Sequence, residues 1–342
     1  FLHPSAAHFR AFFMRISVLV INYNGERHLP QLVAALQAQT LRDFELIFID
    51  NASVDGSVAL MHQLCDESAL PNTRLSNTEN TGFAPACNQG IRAAQGEWIA
   101  LLNNDAFPEP GWLEYLWDAS QASPRLGMVA AKLLFAHEPA RINSAGIAID
   151  RAGIAWDWRG GELDQPEESG PIEIFGPCGG AALYSRQMLD EIGGFDEDFF
   201  AYLEDVDLAW RAQLAGWRCV LEPRARVYHV HSATLGNGSP FKNYLLGRNK
   251  VWLITKNYPS PWLLFYLPAI FGYDLLSVIG NALRARNFSA LKGRLAALRR
   301  LPHFLQKRRQ IQARQRKGES WQLHMAPLAM PASILKRYAH LQ

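Results

Sequence analysis

Cysteine is scarce in this chain. The four thiols among 342 residues, Cys65, Cys87, Cys178 and Cys219, stand at no C-x-x-C or metal-ligand spacing. A secreted scaffold held by disulfides is far denser in cysteine, so a reducing compartment is expected. Net charge is almost absent as well. With 34 Lys+Arg against 32 Asp+Glu the total is +2, which taken whole predicts no polyanionic partner and no nucleic acid. Internal repeats and low-complexity tracts are missing. Charged residues at 19% and apolar ones at 49% exclude intrinsic disorder, because such a chain buries enough apolar surface to offset its conformational entropy. At roughly 150 residues per domain, the length allows one large α/β domain with an appendage, or two modest domains. Residues 1–13 lack both the basic start and the long unbroken apolar core of a secretory signal, and Met14-Arg15 opens directly onto a strand-like run. Residues 1–13 are therefore read as an upstream extension outside the core, with Met14 as the natural start.

What is present alternates between strand and helix. Residues 16 to 22 (ISVLVIN) form the β-branched run expected of a strand buried on both faces; Leu29, Leu32, Val33 and Leu36 then recur at helical spacing. The run FELIFID (44 to 50), a turn at Asn51-Ala52-Ser53 and another helical stretch repeat the unit. Asn80-Thr81-Gly82 precedes a third helix through Ala94, and EWIALL (97 to 102) ends on Asn103-Asn104-Asp105. This order predicts a doubly wound, mostly parallel sheet with right-handed crossovers, whose ligand binds beyond the carboxyl ends of the strands. Asn22, Asp50 and Asp105 all sit at such ends. From about 136 to 176 the signals weaken into what reads as a connecting excursion. Tyr202 to Gly216 then carries a helix with Val206, Ala209, Trp210 and Leu214 on one face and Gly216 near its C-cap.

Strand-end carboxylates in a nucleotide-sized crevice suggest a divalent ion on a diphosphate, with Asp105 the best candidate, although Asn-Asp is also ordinary turn chemistry. Asp50 could accept from a base or ribose, or cap its own turn. Glu204-Asp205 opens a helix, where carboxylates are favoured electrostatically in any case; an adjacent pair can still place one member in a cleft as a base. Asp207 and Arg211, four apart, predict a surface pair, and Arg211 could instead face a phosphate. His229, after a strand-like run, could be a metal ligand, although a hydrogen-bonded core histidine is the commoner reading of such a residue.

The order of motifs resembles the inverting nucleotide-sugar glycosyltransferases of family 2, of the GT-A fold, and within them the rhamnosyltransferase-like group. The matching segments are VINYNG (20 to 25), FIDNASVDGS (48 to 57), NTGFAPACNQGI (80 to 91), GEWIALLNNDAFPEPGWL (96 to 113), GGFDEDFFAYLEDVDLAWRAQLAGW (193 to 217) and VYHVHSAT (227 to 234), about 215 residues in the family's order. The resemblance implies that Ile21, Asn22, Tyr23, Asp50, Asn51, Asn80, Asn88 and Asn104 line the nucleotide. Asn103-Asn104-Asp105 occupies the family's DxD metal motif with Asn at its first position, leaving Asp105 as the main carboxylate for Mg²⁺ or Mn²⁺. His229 completes the shell, with His231 in reserve. Asp205 is implied as general base and Glu204 as the residue that orients acceptor or base. The implied donor is dTDP-rhamnose, with UDP-hexoses and UDP-N-acetylhexosamines as alternatives, and the implied acceptor is a glycan or lipid-linked saccharide. A sugar-nucleotide pyrophosphorylase would need a Gly-rich basic loop after the first strand, which Asn22-Tyr23-Asn24-Gly25-Glu26 does not provide. A binding protein without turnover would not need Asp105, Asp205 and His229 together.

The C-terminal part differs in kind. Residues 262 to 280 are an apolar stretch of nearly spanning length, interrupted by Pro268 and Asp274, and residues 282 to 318 hold twelve Lys/Arg and no acid. The rest of the chain carries a charge of about −10, so the small total is a cancellation. An apolar segment followed by a polybasic one suits the cytoplasmic face of an anionic membrane, in plane or shallowly inserted, with a helical extension packed on the body as the other reading. The expected division is a catalytic domain over 14–240 and a basic, membrane-proximal extension over 241–342.

Overall fold

The computed structural model describes residues 14–165, 170–230, 239–285, 287–316 and 325–328. Strand β1 (Met14–Asn22) is buried from Ile16 onward, and helix α1 (Leu29–Gln37) lays the same four apolar residues that the spacing singled out onto the sheet. β2 (Phe44–Asp50), buried along its whole length, α2 (Ser57–Glu67), β3 (Asn72–Ser76), α3 (Phe83–Ala93) and β4 (Gly96–Asn103) continue the alternation. These four strands pair in parallel in the order β3-β2-β1-β4, with Asn22 opposite Asp50 and Ile21 opposite Asn103. The three polar strand ends are therefore neighbours by register.

Beyond β4 the pattern changes. β5 (Ala106–Pro108), α4 (Trp112–Ser120), β6 (Leu126–Phe135), β7 (Glu138–Ser144), β8 (Ile147–Asp150), β9 (Ala155–Asp157) and β10 (Ile172–Ile174) precede β11 (Ala181–Ser185), which runs antiparallel to both β4 and β6. β11 follows the Gly179-Gly180 turn and not a crossover helix, so the strict alternation of strand and helix stops at β4. The sheet is mixed and mostly parallel. Residues 136 to 176 are also more than an excursion: β7 joins the main sheet, and β8 and β9 form a small second one. Their three to seven residues are too short to print a period.

Helices α5 (Arg186–Ile192) and α6 (Glu204–Leu214) lead into β12 (Arg218–His229), which pairs with β6 and ends antiparallel to β5. The chain then turns helical through α7 (Pro240–Asn257), α8 (Trp262–Ala285), α9 (Ser289–Arg299) and α10 (Leu301–Ala313), and β13 (Met325–Ala326) returns to pair with β8. α7 and α9 cross at backbone distance. A Cβ on Gly247 would lie 2.3 Å from the Ala290 carbonyl, and one on Gly293 would lie 2.1 Å from that of Tyr244. Next to this crossing Trp252 stacks on Phe304 and donates to the Ala297 carbonyl at 3.2 Å.

The basic tail is spent partly inward. Arg294 binds Asp274, Arg300 binds Asp198, Lys307 binds Asp196 and Asp198, and Arg308 donates to Thr255 and Ser260. Charge that composition assigns to a membrane thus also neutralises carboxylates of the acidic body. The apolar face of α8 stays open: Leu264, Phe265 and Phe271 are each about 70% exposed. Among the described residues this is the one helix long and apolar enough to cross a membrane.

Candidate functional site

The crevice beyond the strand ends is built by side-chain amides. Asn22, fully buried, donates through Nδ2 to Asp50 Oδ1 (2.9 Å) and Ser53 Oγ (3.0 Å), while its Oδ1 accepts from Asn104 Nδ2 at 2.8 Å. One asparagine thus ties the turn after β2 to the turn after β4. Asp50 also accepts from the Ser53 amide and hydroxyl, so it caps its own turn. Asn51 binds the 77–82 loop through Asn77, Asn80, Thr81 and the Gly82 carbonyl. Ile21 is buried and Tyr23 half-buried beside them. Asn88 is not brought to this group. Its amide exchanges hydrogen bonds with the Phe195 backbone and donates to Glu197, fastening α3 to the 193–197 turn.

The two residues expected at the metal do meet. His229 Nε2 lies 3.2 Å from Asp105 Oδ1, both side chains being buried, and β5–β12 pairing sets His229 opposite Ala106. His229 Nδ1 faces the side-chain oxygen Oδ1 of Asn143 at 2.8 Å, and Asn103 Nδ2 lies 3.3 Å from Nε2. The Asn143 contact fixes the orientation of the ring and leaves Nε2 directed at the Asp105 carboxylate. Burial pushes the Asp105 carboxyl up, but the His229 hydrogen bond and charge, with His28 nearby, hold it below its usual value. His231 lies outside the described residues.

Glu204 and Asp205 open α6. Asp205 Oδ2 accepts from the Gly179 amide at 3.0 Å and Oδ1 from the Val206 amide at 2.7 Å. The Gly179-Gly180 turn separates the base candidate from the metal pair: a Cβ on Gly179 would sit 3.4 Å from Asp205 Oδ2, and one on Gly180 would sit 3.5 Å from the His229 ring. Side chains there would fill the space between the two. Glu204 is buried with Oε2 unpartnered, and desolvation, then the Asp205 charge, push its carboxyl up to about 8. Burial also raises Asp205, opposed by the Gly179 and Val206 amides.

Asp207 and Arg211 pair at 2.9 Å as the spacing predicts, but the pair is buried and not on the surface. Asn257 (2.7 Å) and Lys256 (2.9 Å) from α7 complete its shell, so the site that could have faced a phosphate is closed by protein groups. Sequence reasoning missed Asp157. It stands among Ser144, Cys178, Asp205 and His229, and burial pushes its carboxyl up to about 6. The only signal was a carboxylate between two tryptophans, Trp156 and Trp158, inside a stretch with no period.

Comparison with known proteins agrees with this geometry. Residues 17–193, just over half of the chain, match the family described as glycosyl transferase family 2. An N-acetylglucosaminyl-diphospho-decaprenol L-rhamnosyltransferase of Mycobacterium tuberculosis is 27% identical over 272 residues, covering 72% of this chain and 86% of that protein. Among solved structures, the mannosyltransferase PcManGT from Pyrobaculum calidifontis, in complex with GDP-Man and Mn²⁺, superposes with a TM-score of 0.53 at 18% identity over 88% of this chain and 85% of its own. Residues 1–349 of Staphylococcus aureus TarS, in complex with UDP, give 0.55 at 16% identity over 88% and 90%. The two structures establish a shared GT-A-like fold.

Proposed function

The chain belongs to glycosyl transferase family 2, and from that premise we propose that it moves L-rhamnose from dTDP-rhamnose onto a lipid-linked saccharide, with inversion, at the cytoplasmic face of a membrane. The observation that carries this reading is the Gly179-Gly180 turn, with Asp205 on one side and His229 and Asp105 on the other. The rhamnosyl donor and the diphospholipid acceptor are supported by the name of the mycobacterial relative. UDP-sugars are the alternative donors.

The donor set fits a hard or borderline divalent ion. A carboxylate held ionised despite burial and an imidazole whose Nδ1 is anchored to Asn143 Oδ1 and whose Nε2 faces that carboxylate are the groups such an ion takes. Asp105 and His229 would hold Mg²⁺ or Mn²⁺, a reading supported by the structural neighbour that is in complex with GDP-Man and Mn²⁺. When bound, the ion offsets the charge of the leaving diphosphate. The asparagine-lined strand ends at Asn22, Asn51, Asn80 and Asn104, with Ile21, Tyr23 and Asp50, are assigned to the nucleotide.

The protein's own chemistry is proton transfer. An acceptor hydroxyl oxygen attacks the anomeric carbon while Asp205 takes its proton; the bond from that carbon to the diphosphate oxygen breaks, and its electron pair leaves with the nucleotide. One displacement inverts the centre, and Asp205 finishes protonated. Two adjacent buried carboxyls share their charge poorly, so Glu204 keeps its proton near neutral pH and Asp205, with its two amide donors, is the ionised member.

The membrane reading rests on α8. Asp274, within its apolar stretch, is bound by Lys250 of α7 and Arg294 of α9, which ties the helix to the body with its open face outward and favours an in-plane position. Incubating the protein with Mn²⁺, N-acetylglucosaminyl-diphospho-polyprenol and, in turn, dTDP-rhamnose, UDP-glucose and UDP-N-acetylglucosamine tests the assignment. Acceptor-dependent nucleotide release with dTDP-rhamnose alone is expected; release with a UDP-sugar instead would replace the donor.

A further inference from the structure

The segment that delivers the catalytic pair is strained, and its restraint comes from outside the family match, which ends at residue 193. Phe200, Tyr202 and Leu203 all have positive φ (66°, 69° and 66°), and none is glycine. Phe200, with ψ −66°, sits at the centre of a γ-turn closed by the Ala201 amide donating to the Phe199 carbonyl at 2.8 Å. Leu203 is the N-cap of α6, and Glu204 and Asp205 follow at once. Residues held in such backbone regions stay there only when their surroundings fix them.

What fixes them is Asn249 on α7. Fully buried, it donates through Nδ2 to the carbonyls of Phe199 (3.0 Å), Ala201 (2.9 Å) and Tyr202 (2.8 Å). Its Oδ1 accepts from Arg248 Nε at 3.0 Å, and Arg248 Nη2 donates to the Asp198 and Phe199 carbonyls at 3.2 and 2.9 Å. One amide nitrogen therefore gathers three carbonyls that a γ-turn and two left-handed residues point the same way. A hydrophobic side chain of equal size would leave the Ala201 and Tyr202 carbonyls without this donor.

We infer that Asn249 is a positioning residue for the general base: its amide clamps the strained 199–203 backbone and thereby sets where Asp205 stands. This rests on the assignment of Asp205 above, and it makes α7 part of the catalytic unit.

The full chain carrying Asn249→Ala, or Asn249→Asp, which keeps the shape but turns a donor into an acceptor, tests this. With dTDP-rhamnose and N-acetylglucosaminyl-diphospho-polyprenol, kcat should fall about 100-fold, the loss typical of a misplaced catalytic group, while the Kd for dTDP stays within about twofold. Amide hydrogen exchange over 199–205 should quicken at least about tenfold, with that of 97–102 in β4 unchanged. A kcat within about twofold of the parent would overturn the inference, as would exchange that quickens equally in both segments, the mark of general destabilisation. A parent chain inactive with every donor refutes the glycosyl-transfer assignment instead. The exchange comparison then decides the clamp, and unchanged exchange at 199–205 overturns it.

Discussion

His229 Nε2 lies 3.2 Å from Asp105 Oδ1, although one residue ends β12 and the other closes the turn between β4 and β5. Backbone pairing holds the contact, since the Val230 amide donates to the Asp105 carbonyl at 3.0 Å. Asn143 Oδ1 at Nδ1 orients the ring so that Nε2 faces Asp105. Asp105→Asn should therefore abolish the Mn²⁺ dependence of dTDP binding. Asn143→Ala should weaken Mn²⁺ binding about 10- to 100-fold, the loss expected when a ligand histidine loses its orienting partner. Titration calorimetry of dTDP with and without Mn²⁺ checks both; metal-dependent binding unchanged in Asp105→Asn removes that residue from the metal site.

Asp205→Asn keeps the shape of the side chain but cannot take a proton. Transfer should fall by about 10²- to 10⁴-fold, the range for a positioned general base, with the Kd for dTDP unaltered. A rate assay beside a binding titration separates the two, and a variant retaining a tenth of parental transfer would exclude Asp205 as the base.

Much of this was legible before the fold. β1, β2 and β4 are continuous apolar runs, and Leu29, Leu32, Val33 and Leu36 repeat at helical period, so the crevice between the first strand ends follows from pattern alone. The second half was not legible, because β7, β8 and β9 are short and partly exposed, and Asp157 is carried on one of them. The i,i+4 spacing gave the Asp207–Arg211 pair but not its burial, since Lys256 and Asn257, which cover it, arrive from α7. Composition likewise counted the tail's cations without their direction. Arg300 and Lys307 turn inward to Asp198 and Asp196, carboxylates of the same turn that leads to the strained 200–203 segment.

Glu204 makes stability depend on pH. Its carboxyl keeps a proton in the folded state up to about 8 and loses it in the unfolded chain near the ordinary value of about 4.3. Folding thus binds a proton throughout that window, so the contribution of Glu204 is fully present at low pH and declines as pH rises toward 8. Glu204→Gln removes the titration. Relative to the parent, the variant should gain about 1–3 kcal/mol between pH 5 and 8, read from thermal unfolding at each pH. A difference between the two proteins that stays flat across this range would mean that Glu204 is ionised in the fold.

The exposed face of α8 sets the last expectation. Phe265, Phe271 and Leu275 lie on it, while Ile270 and the Asp274 ion pairs lie toward the body. A fully buried apolar side chain is stabilised by about 1.5–3 kcal/mol, so even half-immersion of these three amounts to more than 2 kcal/mol of lipid attachment. Phe265→Ser, Phe271→Ser and Leu275→Ser combined should weaken binding to anionic phospholipid vesicles at least about 30-fold, measured by co-sedimentation. Folding should be spared, because all three side chains are exposed. Binding that survives the triple change but disappears at high salt would assign the attachment to the outward-facing cations of the tail, whereas loss in the triple variant at low salt assigns it to the helix face.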